Sequence, residues 1–140
     1  MTLRRRVVLA ALAALFVCGS ARAAESPEDL AQKAAESWLK RVDAGQYAES
    51  WDAAAPVFKG AVTKEQWKQA AGAARTPLGA FVSRTLKSRQ LTHTLPGAPD
   101  GFYVVIQYDA VFKNKAAAVE TVTAVRGDNI TWKVVGYFVR

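Results

Sequence analysis

The sequence has little of the chemistry that catalysis or metal binding requires. Its 140 residues include one cysteine, Cys18, and one histidine, His93. A Ser-His-Asp or Cys-His catalytic set needs a base beside its nucleophile, and zinc sites need several His or Cys ligands. The sequence also lacks a Gly-x-Ser-x-Gly motif and a glycine-rich phosphate loop. We therefore predict no metal, no cofactor and no hydrolysis of these types.

Positive charge is concentrated at the N-terminus. The chain has 19 basic and 12 acidic residues, but residues 1–23 contain four arginines and no acidic residue. The remaining 15 basic and 12 acidic residues give a net charge of +3 from residue 24 onward. That charge is ordinary for a soluble surface and argues against a nucleic-acid binder.

Residues 1–23 have the pattern of a secretory signal peptide. Arginines at positions 4–6 precede an unbroken apolar run at 7–17, and a small-residue segment follows. Because Ala21 and Ala23 are small residues at −3 and −1, we predict cleavage after Ala23, or else after Ala24, and export to a bacterial periplasm. A helix that spans a membrane needs roughly 20 apolar residues. The apolar run at 7–17 is shorter, which disfavours the alternative that this segment stays on the protein as an uncleaved membrane anchor. Lipid attachment at Cys18 is a second alternative, disfavoured by Val17 at a position where such signals carry a small residue.

The 117 residues 24–140 are predicted to form a single domain, long enough to bury roughly two-thirds of the chain surface. Ala, Glu, Gln and Lys are concentrated in its first half, and Val, Thr, Tyr and Phe in its second. Helices followed by strands define an α+β fold, with the helices on one face of an antiparallel sheet.

Three helices are predicted in the first half. The first has Ser26 as its cap and Pro27 at its first position, and it ends at residues 44–45. The second spans residues 46–55 and is stopped by Pro56. The third follows a capping box at residues 63–66 and closes at residues 76–77.

Four strands are predicted in the second half, at residues 80–94, 102–112, 116–126 and 130–140. In the strand at 102–112, every second residue from Phe102 to Phe112 is apolar, which is typical of a strand with one covered face. The turns between the strands are short, so neighbouring strands are expected to be antiparallel. The expected architecture is three helices packed on a four-stranded meander.

Several separated motifs occur in a fixed order along this domain. They are residues 43–51, DAGQYAESW; 63–67, TKEQW; 83–88, SRTLKS; 95–101, LPGAPDG; 115–122, KAAAVETV; and 132–137, WKVVGY. Together they resemble the bacterial family catalogued as domain of unknown function 4019, over about Leu30 to the C-terminus. The resemblance implies small exported proteins with a cystatin-like fold, similar to the nuclear transport factor 2-like superfold and cone-shaped. It implies no established activity, substrate or catalytic residue.

Charged residues within predicted strands are candidates for a site. Arg84 has the same strand parity as Leu86, so its charge is expected to face partly inward and to need a partner. Two carboxylates could supply that partner across the sheet, Glu120 in the third strand or Asp109 in the second. Either could also serve as a catalytic base if it pointed into an enclosed cavity beside a tyrosine.

The sequence favours a non-enzymatic module that binds a small ligand, a peptide or a protein through the sheet face or the cone beneath it. The candidate ligand-binding residues are Trp51, Arg84, Tyr103, Gln107, Asp109 and Glu120. One alternative is an isomerase or dehydratase that uses Asp109 or Glu120. Another is a homodimer with two sheets packed face to face, which Asp at Val105 or Val111 would split.

Overall fold

The computed structural model describes residues 19–140, and the predicted α+β class is confirmed. The elements are α1 Pro27–Asp43, α2 Tyr47–Asp52, α3 Pro56–Ala61, α4 Lys64–Arg75, a 3-10 turn Thr76–Leu78, β1 Phe81–Thr92, β2 Tyr103–Phe112, β3 Lys115–Arg126 and β4 Trp132–Val139. Cys18 and most of the predicted signal peptide lie outside the described residues. Between residues 19 and 140, no helix has both the length and the apolar character needed to cross a membrane.

Helix α1 begins and ends where local chemistry predicts. The Ser26 hydroxyl accepts a hydrogen bond from the Asp29 backbone N–H at 3.1 Å, and the Asp29 carboxylate accepts one from the Ser26 N–H at 3.1 Å. This reciprocal capping satisfies two N–H groups that the helix itself leaves unpaired. The buried stripe of α1 consists of Ala31, Ala35, Trp38, Leu39 and Val42. The helix therefore packs on the sheet through one face.

The helix predicted at residues 46–55 is present but shorter, as α2 Tyr47–Asp52, and the short helix α3, which begins at Pro56, was not predicted. The Ala55 backbone N–H donates to the Val134 carbonyl of β4 at 2.8 Å, so the chain leaves α2 to reach the sheet edge. Pro56 then takes the first position of α3, where a missing N–H has no cost. Residues 19–140 thus contain four α-helices before the sheet, where three were predicted.

The four strands form one antiparallel sheet in the order β1-β2-β3-β4, which confirms the predicted meander. The apolar alternation of β2 faces the helices: Val104, Ile106, Tyr108, Ala110 and Phe112 are all buried. Phe102, which was expected on the same face, precedes the strand and is 40% exposed. The Arg126 guanidinium lies 3.7 Å from the centroid of the Phe102 ring.

Aromatic side chains fill the space between the helices and the inner face of the sheet. The ring centroids of Trp38 and Trp67 are 5.7 Å apart, and those of Trp38 and Tyr137 are 5.6 Å apart. Phe58 packs edge-on against Trp67 at 5.1 Å. These rings form part of one continuous hydrophobic core.

The opposite face of the sheet is partly covered at one end by the chain itself. There Tyr103 is buried, and Val57 of α3 and Leu95 of the β1–β2 loop line a hollow of about 260 Å³ together with Thr123 and Gly136. We call the central residues of this face the outer patch: Ser83, Thr85, Ser88, Gln90, Val105, Gln107, Asp109, Val111, Val119, Thr121, Thr123, Gly136 and Phe138. These side chains are half-buried or exposed. Asp109 is the one charged residue in this set.

Candidate functional site

Five side chains from five elements meet between the helices and the inner face of the sheet. We call them the ion cluster: Asp43 at the end of α1, Arg75 at the end of α4, Arg84 on β1, Glu120 on β3 and Tyr137 on β4. Side-chain exposure is 0% for Glu120, 5% for Arg75, 12% for Arg84 and 14% for Asp43. Buried charges of this kind require partners.

Arg84 joins the two carboxylates of the cluster. Its Nη1 and Nη2 donate to the two carboxylate oxygens of Asp43 at 2.7 and 2.8 Å, and its Nε donates to Glu120 Oε1 at 2.8 Å. Arg75 Nη2 donates to Asp43 Oδ1 at 2.8 Å. The Tyr137 hydroxyl donates to Glu120 Oε2 at 2.5 Å. The two positive and two negative charges of the cluster therefore compensate each other.

These contacts fix the protonation states of the donors. Burial lowers the pKa of Arg84, but the hydrogen bonds and charges of Asp43 and Glu120 raise it by more, so its pKa lies above the ordinary value. Burial raises the pKa of Tyr137, and the negative charge of Glu120 raises it further. Arg84 is therefore charged and Tyr137 is neutral at physiological pH. Each can donate hydrogen bonds to Glu120 continuously.

The cluster borders an open hollow on its Asp43 side. This hollow of about 300 Å³ is lined by Asp43, Arg75, Tyr47 and Thr76, among others, but Glu120 is not among its lining residues. The Nε of Arg75 is buried without a hydrogen-bond partner. Solvent thus reaches Asp43 but does not reach the carboxylate of Glu120 on β3.

Two of the six predicted site residues belong to this cluster. The ion pair between Arg84 and Glu120, one of two predicted alternatives, is present. The other alternative, Arg84 with Asp109, is wrong because strand alternation places Asp109 on the outer patch. The Asp109 side chain is 63% exposed, and its nearest cation, Lys87, lies 3.7 Å away. Asp109 therefore cannot act as a base in an enclosed pocket.

The other three candidates lie elsewhere. Gln107 is half-buried on the outer patch. Tyr103 is buried, and its hydroxyl donates to the Pro99 carbonyl at 2.6 Å. Trp51 is half-buried on the helical side, and its indole N–H donates to the Val62 carbonyl at 2.9 Å. The six candidates thus occupy separate places and do not form one site, and a ligand-binding role for each stays a prediction.

Asp43, Arg75 and Tyr137 were not predicted as members of a site. Asp43 follows Leu39 and Ala35 at spacings of four, and Arg75 follows Ala71 and Trp67 in the same way. Residues four apart lie on one face of a helix, so both charges continue a buried stripe to its last turn. This spacing was the signal available in the sequence.

We also looked for groups of side chains that could bind a metal ion. Among residues 19–140, no three His, Cys, Asp or Glu side chains are grouped so as to hold a metal ion.

The architecture and the cluster define a class: α+β proteins with helices on one face of a four-stranded meander and a charge-compensated cluster between the layers. A family model described as protein of unknown function (DUF4019) matches residues 34–137, and the chain belongs to that family. All five residues of the ion cluster lie within the matched range. A comparison with curated proteins found no match.

Proposed function

We propose that this protein is an exported, non-enzymatic binding module that contacts a protein partner through the outer patch. The observation behind the proposal is that the centre of this face is solvent-accessible and carries apolar side chains among polar ones. Phe138 is 61% exposed at its β4 side, and Val105, Val111 and Val119 are half-buried. Exposed apolar side chains that lie together on a soluble protein are a feature of interaction sites.

The space between the sheet and the helices is filled by side chains, which favours the outer patch as the binding surface. A cystatin-like cone could hold a small ligand if its interior were open, but here Trp38, Trp67 and Tyr137 contact one another across it. A protein interior of this density leaves little room for a ligand. The outer patch is the larger free surface of the sheet.

The geometry gives less support to an isomerase or dehydratase. Glu120 does have a tyrosine within hydrogen-bond reach, as that mechanism requires, but its oxygens already accept from Arg84 and Tyr137. A general base must be able to reach its substrate's proton. Glu120 would have to break these bonds first, so a structural role accounts for it better.

Export is part of the proposal. Residues 19–25 are exposed and precede the first helix, which begins at Pro27. Cleavage after Ala23 would therefore remove no helix or strand of the described chain. Intact-mass measurement of the protein from the periplasmic fraction tests this: a chain that still carries residues 1–23 would contradict it.

Site-specific photocrosslinking in cells tests the binding surface. Benzoylphenylalanine in place of Phe138 puts the crosslinker on the outer patch, and the same residue in place of Gln69, an exposed residue of α4, provides the control. We expect a protein adduct from position 138 and none from position 69.

A second substitution makes the test specific. Val105→Asp adds a charge to the half-buried centre of the patch and should abolish the adduct from position 138. Equal adducts from positions 138 and 69, or an adduct that survives Val105→Asp at an unchanged protein level, would refute the proposed surface.

A further inference from the structure

We infer that the partner seated on the outer patch is a second copy of this chain, related by a two-fold axis that runs along β3. This inference rests on the proposed function, because it names the occupant of the same surface. It follows from the pattern of side chains across β2, β3 and β4.

Three rows of residues cross the sheet at the patch. Strand pairing aligns Asp109 with Val119 and Arg140, Gln107 with Thr121 and Phe138, and Val105 with Thr123 and Gly136. Each row has a residue of β3 at its centre. Its two outer members lie one strand away on either side, on β2 and on β4.

A two-fold axis over β3 exchanges the two ends of each row between copies. Such an interface is isologous, so that each contact occurs twice. Asp109 of one copy then faces Arg140 of the other, which pairs opposite charges. Asp109 is free to accept, because its contact with Lys87 at 3.7 Å is too long for a hydrogen bond.

The other two rows bring apolar side chains to the same contact. Phe138 is the largest exposed side chain on the face and lands on half-buried Gln107 of the second copy. A Cβ placed on Gly136 would have no heavy atom within 4 Å, and Gly136 borders a hollow of about 260 Å³ that Leu95 also lines. In the proposed register, Val105 of the second copy enters this hollow.

The area that the two faces share is small. With the axis along β3, β1 of each copy has no strand opposite it, so three strands about 4.8 Å apart, with about ten residues at about 3.3 Å each, overlap over roughly 480 Å² in projection. Stable interfaces bury about 600–1,000 Å² on each partner. We therefore expect a weak, reversible dimer.

Charge exchange between Asp109 and Arg140 tests the pairing. In sedimentation velocity of the protein purified from the periplasmic fraction, D109R should weaken the dimer by about tenfold or more, and so should R140D, because each places like charges opposite one another. The double variant D109R/R140D should restore the dimer. A double variant that dissociates as readily as the single variants would overturn the axis, and misfolding cannot explain a recovery.

Crosslinking in a Cys18→Ser background tests the register independently. Thr121 lies beneath the axis, so T121C should join to itself in a second copy through a short bis-maleimide that spans about 10 Å, the distance between stacked sheets. Ser88 is exposed on β1, two strands from the axis, and S88C should not crosslink. Equal crosslinking of both variants would overturn the proposed register.

The two proposals can fail separately. A wild-type protein that sediments as a monomer and gives no T121C adduct, while photocrosslinks from position 138 still capture another protein, overturns the dimer and leaves the binding surface in place. No photocrosslinked adduct from position 138, together with no T121C crosslink, overturns both.

Discussion

Replacing Glu120 with Gln isolates the contribution of the ion cluster to stability. The substitution keeps the size of the side chain and removes its charge. Glu120 is fully buried and accepts from Arg84 at 2.8 Å and from Tyr137 at 2.5 Å. In the variant, two buried guanidinium groups share one remaining carboxylate, that of Asp43.

Removing one partner of a buried ion pair typically costs about 3–5 kcal/mol, because the other charge is left uncompensated. We expect Glu120→Gln to lower the free energy of unfolding by about this amount. At a urea m-value of about 2 kcal/mol/M, the midpoint of unfolding falls by about 2 M. The matched control is Asp109→Asn, which removes an exposed charge from the same sheet and should cost less than about 1 kcal/mol.

Urea unfolding followed by circular dichroism and tryptophan fluorescence measures both variants. Tyr137→Phe provides a milder change, since it removes one donor to Glu120 and leaves every charge in place. The expected order of destabilisation is Glu120→Gln, then Tyr137→Phe, then Asp109→Asn. Equal midpoints for Glu120→Gln and Asp109→Asn would refute a stabilising role for the cluster.

Three further predictions concern other contacts. Ser50→Ala leaves the buried Trp67 indole N–H, now bonded to the serine hydroxyl at 2.8 Å, without an acceptor. We expect a loss of about 1–3 kcal/mol in urea unfolding, and an unchanged midpoint would contradict it. The hydrogen bond from Arg89 is the main cause that lowers the pKa of Asp29 from 3.8 to about 2. The contribution of Asp29 to the free energy of unfolding is therefore complete above pH 3.8 and is lost as the pH falls toward 2. The difference in this free energy between wild type and Asp29→Asn should shrink over that range. A constant difference would contradict the assignment. Ile130 is 73% exposed and has a backbone φ of 58°, in the left-handed region that is unfavourable to β-branched residues. Ile130→Asn should therefore raise the melting temperature. A lower melting temperature would refute strain at this turn.

Features set by local patterns could be predicted from the sequence. The capping residues at Ser26 and Thr63 place the starts of α1 and α4, and the two-residue period of β2 identifies its buried face. Because the turns between the strands are short, neighbouring strands must be antiparallel, and a meander is the simplest way to connect them. Each of these signals lies within a few residues of the feature it determines.

Features set by distant contacts could not be predicted in the same way. The break between α2 and α3 depends on the bond from Ala55 to Val134, nearly eighty positions along the chain. The ion cluster joins Asp43 to Arg84 and Glu120, and a charge at the end of a helix is ordinarily solvated. Asp109 is different: alternation with buried Tyr108 already placed it on the outer face, and that signal was in the sequence.

The two faces of the sheet make separate contributions that experiments can distinguish. On the inner face, the ion cluster ties α1 and α4 to β1, β3 and β4, so it supports the sheet on whose other face the outer patch lies. A preformed surface binds with less loss of conformational freedom. Variants of Glu120 should therefore weaken binding only as far as they unfold the protein, whereas Phe138→Asp should abolish binding at unchanged stability. Loss of binding by Glu120→Gln at full stability would instead make the cluster itself the site.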